Sequence, residues 1–83
     1  MQTLGLGKSG ATLVAKPLEW IEVTGGEGTL VVRDGTGREV VRQAMKHSAK
    51  FRASGALGQH TVELLDGQDK PIATSKFVLN AQT

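Results

Sequence analysis

Residues 51–79, FRASGALGQHTVELLDGQDKPIATSKFVL, contain the strongest structural signal in the sequence. Apolar and polar residues alternate over 60–65, which is the two-residue period of a half-buried β-strand, and 72–79 predicts the next strand. A corner rich in glycine, 55–58, precedes the first stretch, and an Asp-Gly turn, 66–69, separates the two. The segment therefore predicts a strand, a corner and then a β-hairpin. Leu57 in the corner is expected to close one end of the core.

The composition indicates one small domain. The chain has 83 residues, with ten Lys and Arg against eight Asp and Glu, so its net charge is only +2. The lack of cysteine excludes disulfides and thiolate metal sites. Apolar runs are too short for membrane insertion, and no secretion signal follows Met1. Eleven glycines, one tryptophan and two phenylalanines indicate many turns and a light aliphatic core.

The rest of the chain divides into a leader and further short strands. Residues 1–10 are polar and rich in glycine, and they predict a flexible leader before a domain at 11–80. Short apolar segments separated by turn residues predict strands at 11–15, 18–24, 29–33 and 39–41. About seven strands at this spacing are typical of a β-sandwich, so the expected fold class is all-β.

Residues 42–49 permit two interpretations. A four-residue spacing of basic side chains favours an amphipathic helix near residues 40–50, which would make the fold α+β; these side chains are Arg38, Arg42, Lys46 and Lys50. The alternation of Ala49, Phe51 and Ala53 with basic residues favours strands instead. We expect two strands joined near Lys46 and His47, with the helix as the alternative.

Two segments have the same pattern of residues. The segment that starts at Asp34 and the one that starts at Asp66 both have the order Asp-Gly-x-x-basic-x-apolar, and each follows an apolar strand. Asp and Gly both accept the backbone conformations that tight hairpin turns need. The two segments therefore predict two equivalent hairpins of one sandwich.

Few residues carry recognisable chemistry. His47 and His60 lack metal-ligand spacing, and His60 is expected to pack or form hydrogen bonds at the start of its strand. The acidic and hydroxyl residues form no catalytic motif, so we expect no catalytic residue, metal site or cofactor. The candidates for ligand binding are Trp20, Arg42, Lys46 and Lys50; the basic residues among them could contact phosphates or an acidic polysaccharide, although a solvated basic face is the preferred interpretation. No aromatic residues alternate with the basic ones, so nucleic acid is not expected as a partner.

The closing strands resemble those of bacterial immunoglobulin-like modules, which are appended to glycoside hydrolases and cell-surface proteins. Those modules commonly have an apolar corner, Gly, an aromatic residue, Thr and alternating apolar residues, then an Asp-Gly turn and Phe-x-apolar. This sequence matches the pattern from Leu57 to Leu79, although His60 stands where the modules usually have Tyr. Together with the hairpin at 30–41, the similarity covers residues 18–79.

The resemblance implies an immunoglobulin-like sandwich and a passive role. Such a module would be a non-catalytic part of a larger secreted bacterial protein, such as a glycoside hydrolase, at an extracellular or periplasmic location. It would act as a spacer or as a docking surface for a neighbouring domain. Two alternatives are a carbohydrate- or cell-wall-binding module and an adhesive surface repeat that pairs through an edge strand.

Overall fold

The computed structural model describes residues 1–7 and 12–81. This part of the chain has no helix, and therefore none that could cross a membrane. It has eight strands, which are β1 (Gln2–Gly5), β2 (Leu13–Ala15), β3 (Trp20–Thr24), β4 (Gly28–Arg33), β5 (Glu39–Met45), β6 (Ser48–Arg52), β7 (Gly58–Leu65) and β8 (Pro71–Leu79). The all-β prediction is confirmed, with one strand more than expected.

The strands form two sheets. One sheet has three strands in the order β1-β3-β6, and the other has five in the order β2-β8-β7-β4-β5. β1 pairs with β3 and β2 pairs with β8 in parallel, while all the other neighbours are antiparallel. The chain stays within one sheet only between β4 and β5 and between β7 and β8, and every other connection between successive strands passes from one sheet to the other.

The core contains side chains from both sheets. Alternation places Ile21 and Val23 on the inner side of β3, where both are fully buried. The five-stranded sheet contributes fully buried side chains that include Leu30, Val62 and Phe77. Phe51 of the smaller sheet packs against Phe77 of the larger one with ring centroids 6.1 Å apart. Each large apolar side chain buried in this way contributes about 1.5–3 kcal/mol.

The N-terminal segment corrects the expected leader. Residues 2–5 form β1, and Leu4 and Leu6 are both 7% exposed and belong to the core. The Leu6 N–H donates to the Thr24 carbonyl oxygen at 2.9 Å, which extends the contact with β3. The sequence did not predict this strand, because its alternating pattern has only two apolar residues, Leu4 and Leu6, in a segment rich in glycine. Positions 8–10 of the expected leader lie outside the described residues.

The structure decides between the two interpretations of residues 42–49. β5 ends at Met45 and β6 begins at Ser48, so the prediction of two strands joined near Lys46 and His47 is confirmed. The helix alternative is wrong, because β5 pairs with β4 and β6 pairs with β3 along their lengths. The sheet ladders satisfy the backbone groups that a helix would have satisfied internally.

The corner before β7 differs from the prediction. Leu57 is 60% exposed and does not close the core. His60 is fully buried at this place, with Nε2 2.7 Å from the Ser54 carbonyl oxygen and Nδ1 3.1 Å from the Gly58 carbonyl oxygen. Its ring packs on Phe77 with centroids 4.7 Å apart. The expectation that His60 packs and forms hydrogen bonds is confirmed.

Candidate functional site: the outer face of the three-stranded sheet

The outer face of the three-stranded sheet combines an exposed indole with charged side chains. Because Ile21 points into the core, its neighbours Trp20 and Glu22 lie on the opposite side of β3. Trp20 is paired in register with Arg52 of β6, and Glu22 is paired with Lys50. Residues directly opposite each other on one face of a sheet are neighbours, although the charged atoms of Glu22 and Lys50 are too far apart to form an ion pair.

Trp20 and Arg52 form the centre of this face. The indole of Trp20 is 45% exposed, and the Arg52 guanidinium carbon lies 4.8 Å from its ring centroid. A cation–π contact at such an exposed position is worth about 0.5–1 kcal/mol. The two ion pairs found within residues 1–7 and 12–81, Arg33–Glu63 and Arg42–Glu39, do not involve Arg52 or Lys50. Neither of these two cationic groups has a carboxylate partner in that part of the chain.

The structure separates the four predicted ligand-binding residues. Trp20 and Lys50 share the outer face of the three-stranded sheet. Arg42 lies on β5 in the other sheet, where its Nε and Nη2 donate to Glu39 Oε1 at 3.1 and 2.9 Å. Glu39 raises the pKa of Arg42, and the hydrogen bond from Arg42 lowers the pKa of Glu39. Lys46 is exposed in the connection between β5 and β6.

Arg52 is the residue of this face that the four predicted candidates did not include. The alternation of Ala49, Phe51 and Ala53 with Lys50 and Arg52 was visible in the sequence and placed both basic residues on one side of the strand. What the sequence did not provide was the pairing of β6 with β3. Only this register brings the guanidinium over the indole.

An apolar end adjoins this face. Met1, Val14 and Leu18 are 69%, 53% and 61% exposed, and we refer to these three residues as the apolar end. Gln2 connects them, because its Nε2 donates to the Val14 carbonyl oxygen at 2.6 Å and to Glu19 Oε2 at 3.2 Å. The pKa of Glu19 is lowered, first by the N–H of Lys16 and then by this contact with Gln2.

Leu18 adopts an unusual backbone conformation. Its φ is 66°, in a turn closed by the Glu19 N–H and the Lys16 carbonyl oxygen at 3.1 Å. Pro17 suits the preceding position of such a turn, but the position of Leu18 normally favours Gly or Asn. A bulky residue there costs about 1–2 kcal/mol. An exposed leucine is thus held in a strained turn, and strain of this kind concentrates at functional sites.

Asp34 is the most strongly bonded carboxylate. It is 6% exposed, and Oδ1 accepts from the Thr36 hydroxyl and from the N–H groups of Thr36 and Arg38. Oδ2 accepts from the Ala56 N–H at 3.1 Å. The Thr36 hydroxyl and then the Ala56 N–H lower the pKa of Asp34 to about 2. This carboxylate is ionised at neutral pH and fastens the β4–β5 turn to the β6–β7 loop.

The two surfaces have different chemistry. The outer face offers free cationic donors beside an aromatic ring, whereas the apolar end offers aliphatic contacts. No group of three or more His, Asp or Glu residues in 1–7 and 12–81 could hold a metal ion. Comparison of the chain with models of known protein families, with curated proteins and with solved structures gives no match.

Proposed function

We propose that the chain is a non-catalytic, immunoglobulin-like accessory module of a larger exported bacterial protein, such as a glycoside hydrolase, and docks on a neighbouring domain of that protein. The strand order supports the immunoglobulin-like part of the proposal. The orders β1-β3-β6 and β2-β8-β7-β4-β5 correspond to strands A-B-E and G-F-C of that fold if its first strand is divided between the two sheets and β5 takes the place of strand C′ beside β4. This division also accounts for eight strands in place of seven. The parallel pairing of β1 with β3 is a difference from the usual module.

The corner before β7 gives further support. Immunoglobulin-like domains commonly have a tyrosine near the start of the corresponding strand, and its hydroxyl bonds to the backbone a few residues upstream. Here the ring of His60 makes an equivalent contact with the Ser54 carbonyl oxygen at 2.7 Å. A histidine with this bond would take the role of that tyrosine, and this supports the proposed fold.

The apolar end is the observation that carries the docking role. Its three aliphatic side chains are exposed, and Gln2 links the segments that carry them, although burying each side chain would be favourable. The Asn80 N–H donates to the Ala15 carbonyl oxygen at 2.9 Å, beside Val14. A domain joined before Met1 or after Thr83 would therefore be connected to the module on the side of this surface. Its occupant is proposed to be such a domain of the same polypeptide.

Thermal unfolding of the longer natural polypeptide tests this docking. We expect the module and its neighbour to unfold in one calorimetric transition, because the apolar contact couples them. Val14→Asp and Leu18→Asp should split this into two transitions, since a charge cannot be buried there without a partner. Ile72→Asp is the matched control, because Ile72 is 56% exposed on β8, away from the apolar end, and its variant should leave one transition.

Three results would contradict the proposal. The first is a gene that encodes no further domain beside this chain. The second is unfolding of the natural polypeptide in two independent transitions before any substitution. The third is an Ile72→Asp variant that splits the transition as effectively as Leu18→Asp, because the effect would then not be confined to the apolar end.

A further inference from the structure

We propose that the outer face around Trp20 and Arg52 binds a carboxylate-bearing sugar unit of an acidic polysaccharide. The inference goes beyond the proposed function, because it gives the module a ligand of its own in addition to a neighbouring domain. It uses a surface different from the apolar end. The two proposals can therefore fail independently.

Arg52 supplies the group that would recognise the carboxylate. A guanidinium presents paired N–H donors in a plane that matches the two oxygens of a carboxylate. Within residues 1–7 and 12–81, Arg52 contacts no carboxylate and its side chain donates to no acceptor. The Arg52 Cζ lies over the Trp20 ring, 4.8 Å from its centroid, so the guanidinium is held beside the indole while its N–H groups remain available. This contact restricts the side chain before the ligand arrives, which reduces the entropy cost of binding.

Trp20 supplies the apolar half of the site. The indole is 45% exposed although Arg52 lies over its ring, so a large part of its surface remains accessible. The C–H groups on one side of a sugar ring form an apolar patch that can pack on an indole. An indole next to a guanidinium therefore suits a ring that carries both C–H groups and a carboxylate, which is the structure of a uronic acid.

The neighbouring side chains add charge and hydrogen-bonding groups. Lys50 lies two residues before Arg52 on the same face and has no carboxylate within ion-pair distance among the described residues. Glu22 is opposite Lys50 on one side and opposite Thr3 of β1 on the other. The hydroxyl and the carboxylate can bond to sugar hydroxyls, and Glu22 disfavours ligands that are only polyanions. These features favour a sugar over a nucleic acid, which would also need several stacking rings.

The test is a fluorescence titration with uronic acid oligomers. Trp20 is the only tryptophan of the chain, so its emission reports on this face alone. The probes are an oligomer of galacturonic acid and the galactose oligomer of the same length, which lacks the carboxylates. We expect saturable binding of the acidic oligomer and binding of the neutral oligomer weaker by about tenfold, because hydrogen bonds to a charged group are stronger than those to a neutral one.

Two arginine variants separate a built site from diffuse charge. Arg52→Gln should weaken binding of the acidic oligomer by about tenfold, because the bidentate contact is lost. Arg42→Gln removes the same charge from the other sheet and should change the affinity by less than about twofold. Circular dichroism of both variants checks that the fold is retained. Trp20→Ala, measured by calorimetry, should abolish binding.

Several outcomes would overturn the inference. One is no saturable signal with the acidic oligomer, and another is equal affinity for the acidic and neutral oligomers. Equal losses in Arg52→Gln and Arg42→Gln would assign the binding to net charge. If polyglutamate bound as tightly as the uronic acid oligomer and with the same dependence on Arg52, the face would be an acidic-peptide site.

Discussion

The turn at Asp34 and the turn at Asp66 have the same local structure. In each, the N–H of the first residue donates to the carbonyl oxygen of the fifth, and the N–H of the fourth donates to the carbonyl oxygen of the first, at 2.8–3.1 Å. In each, Oδ1 of the aspartate accepts from the N–H groups of the third and fifth residues, at 2.8–3.2 Å. The fourth residue has positive φ in both, 84° at Gly37 and 61° at Asp69. Five residues of sequence determine this geometry.

The two turns differ in what lies beyond them. Asp34 Oδ2 accepts from the Ala56 N–H of another loop, and Gly55 packs so closely that a Cβ there would be 2.8 Å from Val40 Cγ1 and 3.0 Å from Asp34 Oδ2. The side-chain bonds of Asp66 within the described residues stay in its own turn. The same motif is therefore a local turn at Asp66, whereas at Asp34 it also connects two loops through a tertiary hydrogen bond.

Alanine substitution at the two aspartates should show the largest difference. Asp34→Ala removes the bonds of its turn and leaves the Ala56 N–H without its acceptor, so we expect it to lower the Tm by about 10 °C or more. Asp66→Ala removes two hydrogen bonds to exposed N–H groups that water can replace, and we expect a decrease of less than about 5 °C. Thermal denaturation followed by circular dichroism measures both. Equal decreases would show that the bond to Ala56 contributes nothing.

Acidification should reveal the contribution of the Asp34 carboxylate by a smaller effect. The pKa of Asp34 is lowered to about 2 from the ordinary 3.8, so the folded state binds this proton less readily than the unfolded state. The ionised carboxylate therefore stabilises the fold above pH 3.8, and this stabilisation is lost as the pH falls from 3.8 through 2.

Urea denaturation between pH 6 and pH 2 measures this loss. Asp34→Asn should show a flatter decline of stability with falling pH, because the titrating group has been removed. An unchanged slope in Asp34→Asn would mean that other carboxylates cause the acid sensitivity.

The same contrast indicates which features of the fold could be predicted from the sequence alone. The Asp-Gly-x-x-basic pattern and the alternation around Val62 were sufficient to predict both hairpins and the all-β class, because turns and strand periodicity are local properties. The strand β1 was not predictable from Leu4 and Leu6, since its evidence is the parallel ladder with a strand that lies 19 residues further along the chain. The pairing of Trp20 with Arg52 depends on the same kind of distant register.

The exposed position of Leu57 has a similar cause. An apolar residue in a glycine corner was expected to point inward, but its loop is held by bonds that other segments supply. The Ala56 N–H donates to Asp34 in the turn after β4, and the ring of His60 forms a hydrogen bond with the Ser54 carbonyl oxygen. These hydrogen bonds determine the direction of the loop, and they outweigh the tendency of the apolar Leu57 side chain to be buried. Sequence reading fails where a loop is positioned by partners that are distant in the chain.

Exchanging the fourth residues of the turns should give the smallest effect and test the local half of the comparison. Asp69 has φ of 61°, which glycine adopts without steric cost, whereas its counterpart is already Gly37. Asp69→Gly relieves this strain but increases the entropy of the unfolded chain, so we expect a net stabilisation of no more than about 1 kcal/mol. Gly37→Asp should destabilise by a similar amount, because a Cβ at Gly37 meets no atom within 4 Å and only the backbone preference changes. Urea denaturation of both variants measures the changes in the free energy of unfolding. If the two changes have opposite signs and similar size, the two turns are equivalent in local energy. If Gly37→Asp loses much more stability than Asp69→Gly gains, the tertiary contacts of Asp34 constrain the whole of its turn.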